Sequence, residues 1–579
     1  MEKPLLQEIG PMKGPAPHVV EKWFRNGLPT AFTSNVLDRI VKKLEEDGSY
    51  VRQTGDRDSW KGANLHAKEQ PKDESKAQAE KAKWLNGLSE KVRLPYVLLI
   101  SDHERFLLHQ IITIMKAAFP NDKELQKVQL LRKWVSSPNT LIEGLRKPDL
   151  VLLPVGLTNT KVAETGIYFE DIVTSCEVKY THNYHLSKKA KFQASEMALF
   201  CMWKQVDRCY YIAFSICGNL LTVYQYTRGG VRSSPAIDID RHPQLFVRLL
   251  LTISVGKSLW LGYDPWITNV EIGDQKYKQV ELRGRRVEYL GEGDIKPVEA
   301  TKLTFIHPIF MAYGLKGRGT RIWLVRDAKQ RYIILKDCWL PRTWYNDITI
   351  HQRLQDPSRE DPQFAVEARS EEDEAIFGDE DKYHIFDNPF FDDPGCDGLK
   401  GIPTLVYWDE VQRPDEFGAL LQETTAMLLG QLPEADSIED RLHLRAGFRE
   451  CGIGISWFSC AREFFNAIMG TLVGKYLYHG NEAALTRSPG HYNGYVRRKM
   501  LQCDISDTNL WLRIPPHPTP ETIVPDWPEN KGPEWYPKRT GLLGDWGYGE
   551  DVSDKSSRQM DDSCPITVCI LSSIDKTHA

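Results

Sequence analysis

Hydrophobic positions along the chain gather in two long blocks, set apart by polar stretches. The first opens near Tyr96, and Phe106, Leu107, Ile111 and Ile114 recur at helical spacing. Four strand-like runs follow: DLVLLPV (149–155), IVTSCEVKY (172–180), CYYIAFSI (209–216) and LLTVYQY (220–226). A helix-like stretch from Lys188 to Trp203 separates the second run from the third, and Gly218-Asn219 between the last two is a two-residue turn signal. This order predicts an α/β domain over residues 91–265, after an N-terminal segment 1–90 and before a linker over 266–300. The second block is again strand-first, RIWLVRD and then RYIILKD, and predicts a second domain over 301–579.

Three segments lack the composition of a packed core. Residues 53–83 are charged and almost free of large aliphatics, which predicts a mobile insert. The stretch 355–400 is acidic, and 515–537 holds eight prolines, so both are expected to be inserts without regular structure.

Charge and cysteine usage narrow the functional classes. A formal net charge of -5 argues against attraction of the whole molecule to nucleic acid or anionic membrane. The 11 cysteines are scattered with no C-x-x-C pair, which indicates neither a zinc site nor a disulfide framework. The longest apolar run, around Leu245 to Val255, is short and broken by Arg248, so no membrane segment is expected. An intracellular protein, cytoplasmic or nuclear, fits these features.

Candidate chemistry in the second block appears in chain order. Gly317-Arg318-Gly319 precedes the strand RIWLVRD, where small residues let backbone amides approach a phosphate; Ile322 stands where a third glycine would be usual. Lys336 falls on the next strand, in YIILKD, and Asp347 is the nearest downstream acid that could pair with it. In CDISDTNLWL, Asp504 and Asn509 stand at D-x-x-x-x-N spacing, and Gly544-Asp545-Trp546-Gly547 follows. Phosphoryl transfer from ATP needs these parts: a glycine-rich cover, a lysine on the phosphates, a base, and ligands for magnesium.

With GRGT at 317–320, LKD-x-W at 335–339, His443-x-Arg445 and DIS-x-x-N at 504–509, the sequence resembles the fungal-type protein kinases. RKPD and LLP between Arg146 and Pro154, and GYDP at Gly262 to Pro265, extend the resemblance into the first block. It implies a bilobal protein-kinase-like α+β domain that binds ATP and Mg and transfers phosphate to serine or threonine of a protein substrate. It also implies Asp504 as catalytic base, Asn509 and Asp545 as metal ligands, and Gly317, Gly319, Lys336 and Asp347 around the nucleotide. Two departures stand out. Gln502-Cys503 replaces the usual His-Arg before the catalytic aspartate, and the sequence ends soon after CPITV (564–568), where a kinase C-lobe would continue. The C-lobe is therefore expected to be shortened, and a pseudokinase that binds without catalysing is the alternative.

The first block carries a different constellation. Asp149 heads one strand and Glu177-Val178-Lys179 lies in the next, with Glu177 and Lys179 on one side by strand alternation. This D…E-x-K arrangement resembles the restriction-endonuclease-like fold, which implies a Mg-dependent nuclease as a further alternative, with Gln193 as an accessory member. Lys188, Lys189 and Lys191 would suit a phosphate backbone, leaving nucleic acid as a possible partner.

Overall fold

The computed structural model describes residues 34–46, 50–51, 59–60, 131–136, most of 142–157, 167–283 apart from 180, 301–342, 347–355, 402–429 apart from 416, 439–454, and the strands at 500–501, 510–514, 541–543 and 550–551, with isolated residues at 116, 121 and 123. Its contacts divide into two compact units. The first comprises Met1–Ile267, Met311–Gly319 and Gln412–Leu442; the second comprises Thr268–Phe310, Thr320–Val411 and His443–Ala579.

In the first unit, α1 (Ser34–Glu46) buries Val36, Leu37, Ile40, Val41 and Leu44, a single apolar face at helical spacing. A short pair, β1 (Tyr50–Val51) with β2 (Ser59–Trp60), follows. The main sheet runs β3 (Arg132–Ser136), β4 (Leu150–Pro154), β5 (Thr174–Lys179), β6 (Tyr211–Cys217), β7 (Leu220–Thr227), β8 (Gly230–Ser233), with β9 (Ile237–Asp238) also on β7. β5 and β6 are parallel and the other pairs antiparallel. A parallel pair needs a crossover, and α2 (Tyr184–Lys204) supplies it, capped by the Asn183 side chain, which accepts from the Leu186 N–H at 2.9 Å. The second half of α2, Ala194 to Met202, is buried on all sides, and Phe200 stacks on Phe169 at 4.8 Å. Burial of each such large side chain contributes about 1.5–3 kcal/mol. A second helix, α3 (Pro243–Val255), packs against α1 and β3.

The GYDP string closes this unit for a physical reason. Gly262 has φ 95° and a Cβ there would lie 1.9 Å from the Tyr210 carbonyl oxygen, so only glycine fits. Arg208 donates to the carbonyls of Leu261, Ile172 and Val173 at 2.6, 3.0 and 3.1 Å and lies over the Tyr263 ring at 3.7 Å, which ties the string to the start of β5.

The second unit is built on a sheet in the order β10 (Ile267–Ile272), β11 (Gln275–Leu282), β12 (Thr301–Met311), β13 (Arg321–Arg326), β14 (Tyr332–Pro341), β18, β15. α4 (Asp347–Gln355) and β15 (Leu405–Glu410) follow β14, and α4 buries Ile348, Ile350 and Leu354 as it packs on β15. The pair β16 (Gln412–Pro414) and β17 (Leu420–Gln422) belongs to the first unit, where buried Arg413 pairs with Glu423 and donates to the Leu259 and Tyr263 carbonyls. β18 (Arg441–Phe448) lies between β14 and β15. β19 (Cys451–Gly454), β20 (Met500–Leu501), β21 (Leu510–Ile514), β22 (Gly541–Leu543) and β23 (Glu550–Asp551) form two small sheets, β19-β21-β22 and β20-β23.

Two sequence-based boundaries change. The expected linker 266–300 contains β10 and β11, joined at Gly273 with φ 61°, and most side chains of this hairpin are exposed or half-buried. The second domain is also not contiguous, because 311–319 and 412–442 pack with the first unit. Within 53–83, residues Ser59–Trp60 form β2. The helix expected around Phe106 to Ile114, the insert 355–400 apart from Gln355 at the end of α4, and the insert 515–537 lie outside the described residues.

Candidate functional site

The antiparallel register Leu150↔Cys176 sets Asp149, one residue before β4, opposite Glu177 on β5. Asp149 Oδ2 accepts from the Val178 N–H at 2.7 Å and from Lys179 Nζ at 3.0 Å, and Lys179 Nζ lies 3.7 Å from Glu177 Oε2. The structure therefore brings together three residues read from the sequence, with Lys179 and Glu177 side chains each 1% exposed. Two carboxylates share one lysine in a site without water access, and Glu177 Oε2 has no hydrogen-bond partner. Burial, then the Asp149 carboxylate, push the Glu177 carboxyl well above the usual range, against the opposing pull of Lys179 and Arg146. Such a site can hold a proton on Glu177, and its carboxylate oxygens are of the type that binds a hard divalent cation.

Gln193 stands on α2, half-buried, and its Oε1 is buried without a hydrogen-bond partner. Sequence reading missed Glu196, which pairs with Arg146 on the same helix-covered side. A lone acid within the otherwise apolar run Ala194–Met202 was the available signal, since such a residue is seldom buried unless paired. Lys188 and Lys189 are exposed.

In the second unit, Lys336 lies on β14 opposite Ile322 of β13 and is buried, with α4 next in the chain. Its neighbour Asp337 faces β18, where His443 Nε2 and Arg445 Nε each lie 3.0 Å from its two carboxylate oxygens. Trp339 stacks on the His443 ring at 4.3 Å. The strings LKD-x-W and His443-x-Arg445 are thus two halves of one buried cluster, alternate residues of adjacent strands meeting on one face. Burial raises the Asp337 carboxyl pKa, but His443 and Arg445 outweigh it and hold the group well below the ordinary carboxylate range. Asp347 is the first residue of α4.

Gly317 and Gly319 have φ 111° and 51°, in the left-handed region that glycine tolerates. The Gly317 N–H donates to the Arg228 carbonyl at 2.9 Å, and a Cβ on Gly319 would lie 2.4 Å from Arg228 Nε. In this arrangement the glycines accommodate Arg228, which sequence reading did not single out.

Asp504, Asn509 and Asp545 lie outside the described residues, but the strands on either side are described. β20 and β23 pair at Leu501↔Glu550, and β21 and β22 pair at Leu510↔Leu543. The strand entering the Asp504 segment is thereby paired to the strand leaving the Asp545 segment, and the strand leaving the first to the strand entering the second.

Among the described residues, no helix is long and apolar enough to cross a membrane. Comparison with curated proteins and with solved structures returns no match. A family model described as fungal protein kinase matches residues 147–481, more than half of the chain, and takes in both the carboxylate–lysine cluster and the Lys336 sheet. On the strength of that match the chain belongs to the fungal protein kinase family, and its mixed α/β sheets fit a kinase-like α+β fold.

Proposed function

We propose that the chain is an ATP- and Mg-dependent protein kinase acting on serine or threonine. The observation that carries this reading is the double strand pairing around the Asp504 and Asp545 segments. Asn509 precedes Leu510 and Asp545 follows Leu543 by two residues, so chain connectivity keeps both close to one paired position. Two metal ligands must face one phosphate group, and a frame that ties both loops at both ends favours that. In this reading Lys336 neutralises the phosphates, with Asp347 as its candidate partner. Asp504 accepts the substrate hydroxyl proton, Asn509 and Asp545 hold magnesium, and Gly317 and Gly319 cover the nucleotide. When bound, Mg-ATP supplies the transferable phosphoryl group. The intended partner is a protein whose identity these residues do not specify.

The test separates binding from chemistry. Mg-ATP should raise the melting temperature of the wild-type chain, because a ligand of the folded state stabilises it by mass action. Lys336→Ala and Asp545→Asn should each shrink that shift. Asp504→Asn should keep it while lowering phosphate transfer to a generic protein substrate by about 10²–10⁴-fold. Binding without transfer in the wild type would assign a pseudokinase, and the absence of any shift would reject the nucleotide reading.

We also infer a restriction-endonuclease-like arrangement for the α/β unit, from Asp149 and Glu177 on adjacent strands with Lys179 beside them. Burial of all three favours a structural role over nucleic-acid cleavage, since a phosphate backbone needs an open path to the site.

A further inference from the structure

The segment joining β12 to β13 carries the two glycines that would cover a nucleotide, yet its side chains are committed to the first unit. Leu315 is 1% exposed and sits in the apolar cluster of Val151, Leu153, Phe169 and Met202. Tyr313 meets the Trp203 ring edge-on at 5.3 Å. Arg228, at the turn between β7 and β8, is itself 1% exposed. Its Nη1 donates to the Gly314 carbonyl and its Nη2 to the Met202 carbonyl at 3.0 Å, while its own carbonyl accepts from the Gly317 N–H at 2.9 Å.

We propose that Arg228 is a positioning residue that holds the glycine-rich segment in a nucleotide-excluding form, with Leu315 as its apolar anchor. The proposal rests on the kinase reading of Gly317 and Gly319. One N–H cannot serve the Arg228 carbonyl and a phosphate oxygen at full strength together. Gly319 likewise has the guanidinium packed where its side chain would be. Binding therefore requires the segment to leave Arg228, and the apparent affinity is reduced by the fraction of molecules in which it has done so. Release would also draw Leu315 from its cluster, which makes the held form the favoured one without ligand.

Hydrogen exchange and nucleotide titration on the full chain test this. In the wild type, the Gly317 amide should exchange at least about tenfold more slowly than a free peptide amide; exchange at the free-peptide rate overturns the proposal without any variant. Arg228→Met, and Arg228→Lys, which cannot span two carbonyls, should speed exchange over 314–319 by about tenfold. Both should tighten Mg-ATP binding by about three- to tenfold, whereas damage to a merely structural residue would weaken it. Unchanged exchange in both variants, or weaker binding in both, overturns the proposal. Faster exchange with no nucleotide binding in any form of the protein keeps Arg228 as the holder of the segment and removes the kinase reading instead.

Discussion

The two units each bury a cluster of ionisable side chains, and the clusters are balanced in opposite ways. In the α/β unit, Asp149 and Glu177 share the single ammonium of Lys179, a surplus of acid. In the sheet unit, Asp337 is paired with two bases, His443 and Arg445. Burial acts alike on both, since it disfavours every charge, but the neighbours decide the outcome: Glu177 is driven toward its neutral form and Asp337 is held ionised. The first cluster can adjust to a lost partner by taking up a proton. In the second, His443 can release a proton, but Arg445 cannot.

That difference should appear most strongly when an acid or a cation is removed. Asp337→Ala takes a buried carboxylate away from Arg445 and His443 and should destabilise the sheet unit by about 3–5 kcal/mol. Differential scanning calorimetry would resolve it as a lowered transition for that unit, and a shift below about 1 kcal/mol would mean that the cluster is hydrated. Lys179→Met removes the lysine from the other cluster, and proton uptake by Glu177 softens the effect. A loss of about 3 kcal/mol near neutral pH is expected, shrinking on acidification; a loss independent of pH would break the comparison.

The smallest effect is the most diagnostic. Glu177→Gln replaces a group already inclined to be neutral and should change stability by less than about 1 kcal/mol near pH 5. It should also flatten a pH dependence. A carboxyl whose folded pKa lies above its unfolded value contributes stability that is complete below the ordinary value of 4.5 and is lost as pH rises toward the folded value. Asp337 has the reverse sign, contributing stability above its ordinary value of 3.8 that is lost on acidification. Melting of the wild type and of Glu177→Gln between about pH 5 and pH 8 should therefore diverge in slope for the α/β unit only. Parallel slopes would show that Glu177 is ionised throughout.

Several of these features were legible before any fold was known, and the reason is locality. The strands around Asp149, Glu177 and Lys179 show continuous apolar runs, α2 shows a capped helical stretch, and Lys336 follows the apolar start of a strand. Register then followed, since Glu177 and Lys179 had to share a side once their strand was recognised. The β10–β11 hairpin was equally local, but with few large apolar residues it resembled a connector.

What composition and periodicity could not supply is which distant elements become neighbours. Asp337 and His443 are 106 residues apart and meet because β18 enters the sheet beside β14. Arg228 and Gly314 are 86 residues apart, and nothing in the glycine spacing says that a guanidinium, as well as a phosphate, could require those glycines. The sequence by itself determined the secondary elements and the chemical types they carry, since backbone propensity and apolar spacing act over a few residues. Only the tertiary structure decided that Asp149 and Glu177 meet one lysine, that Asp337 meets both His443 and Arg445, and that the glycine-rich segment packs with the α/β unit. Strand order and core packing join residues whose mutual energies do not depend on their separation along the chain.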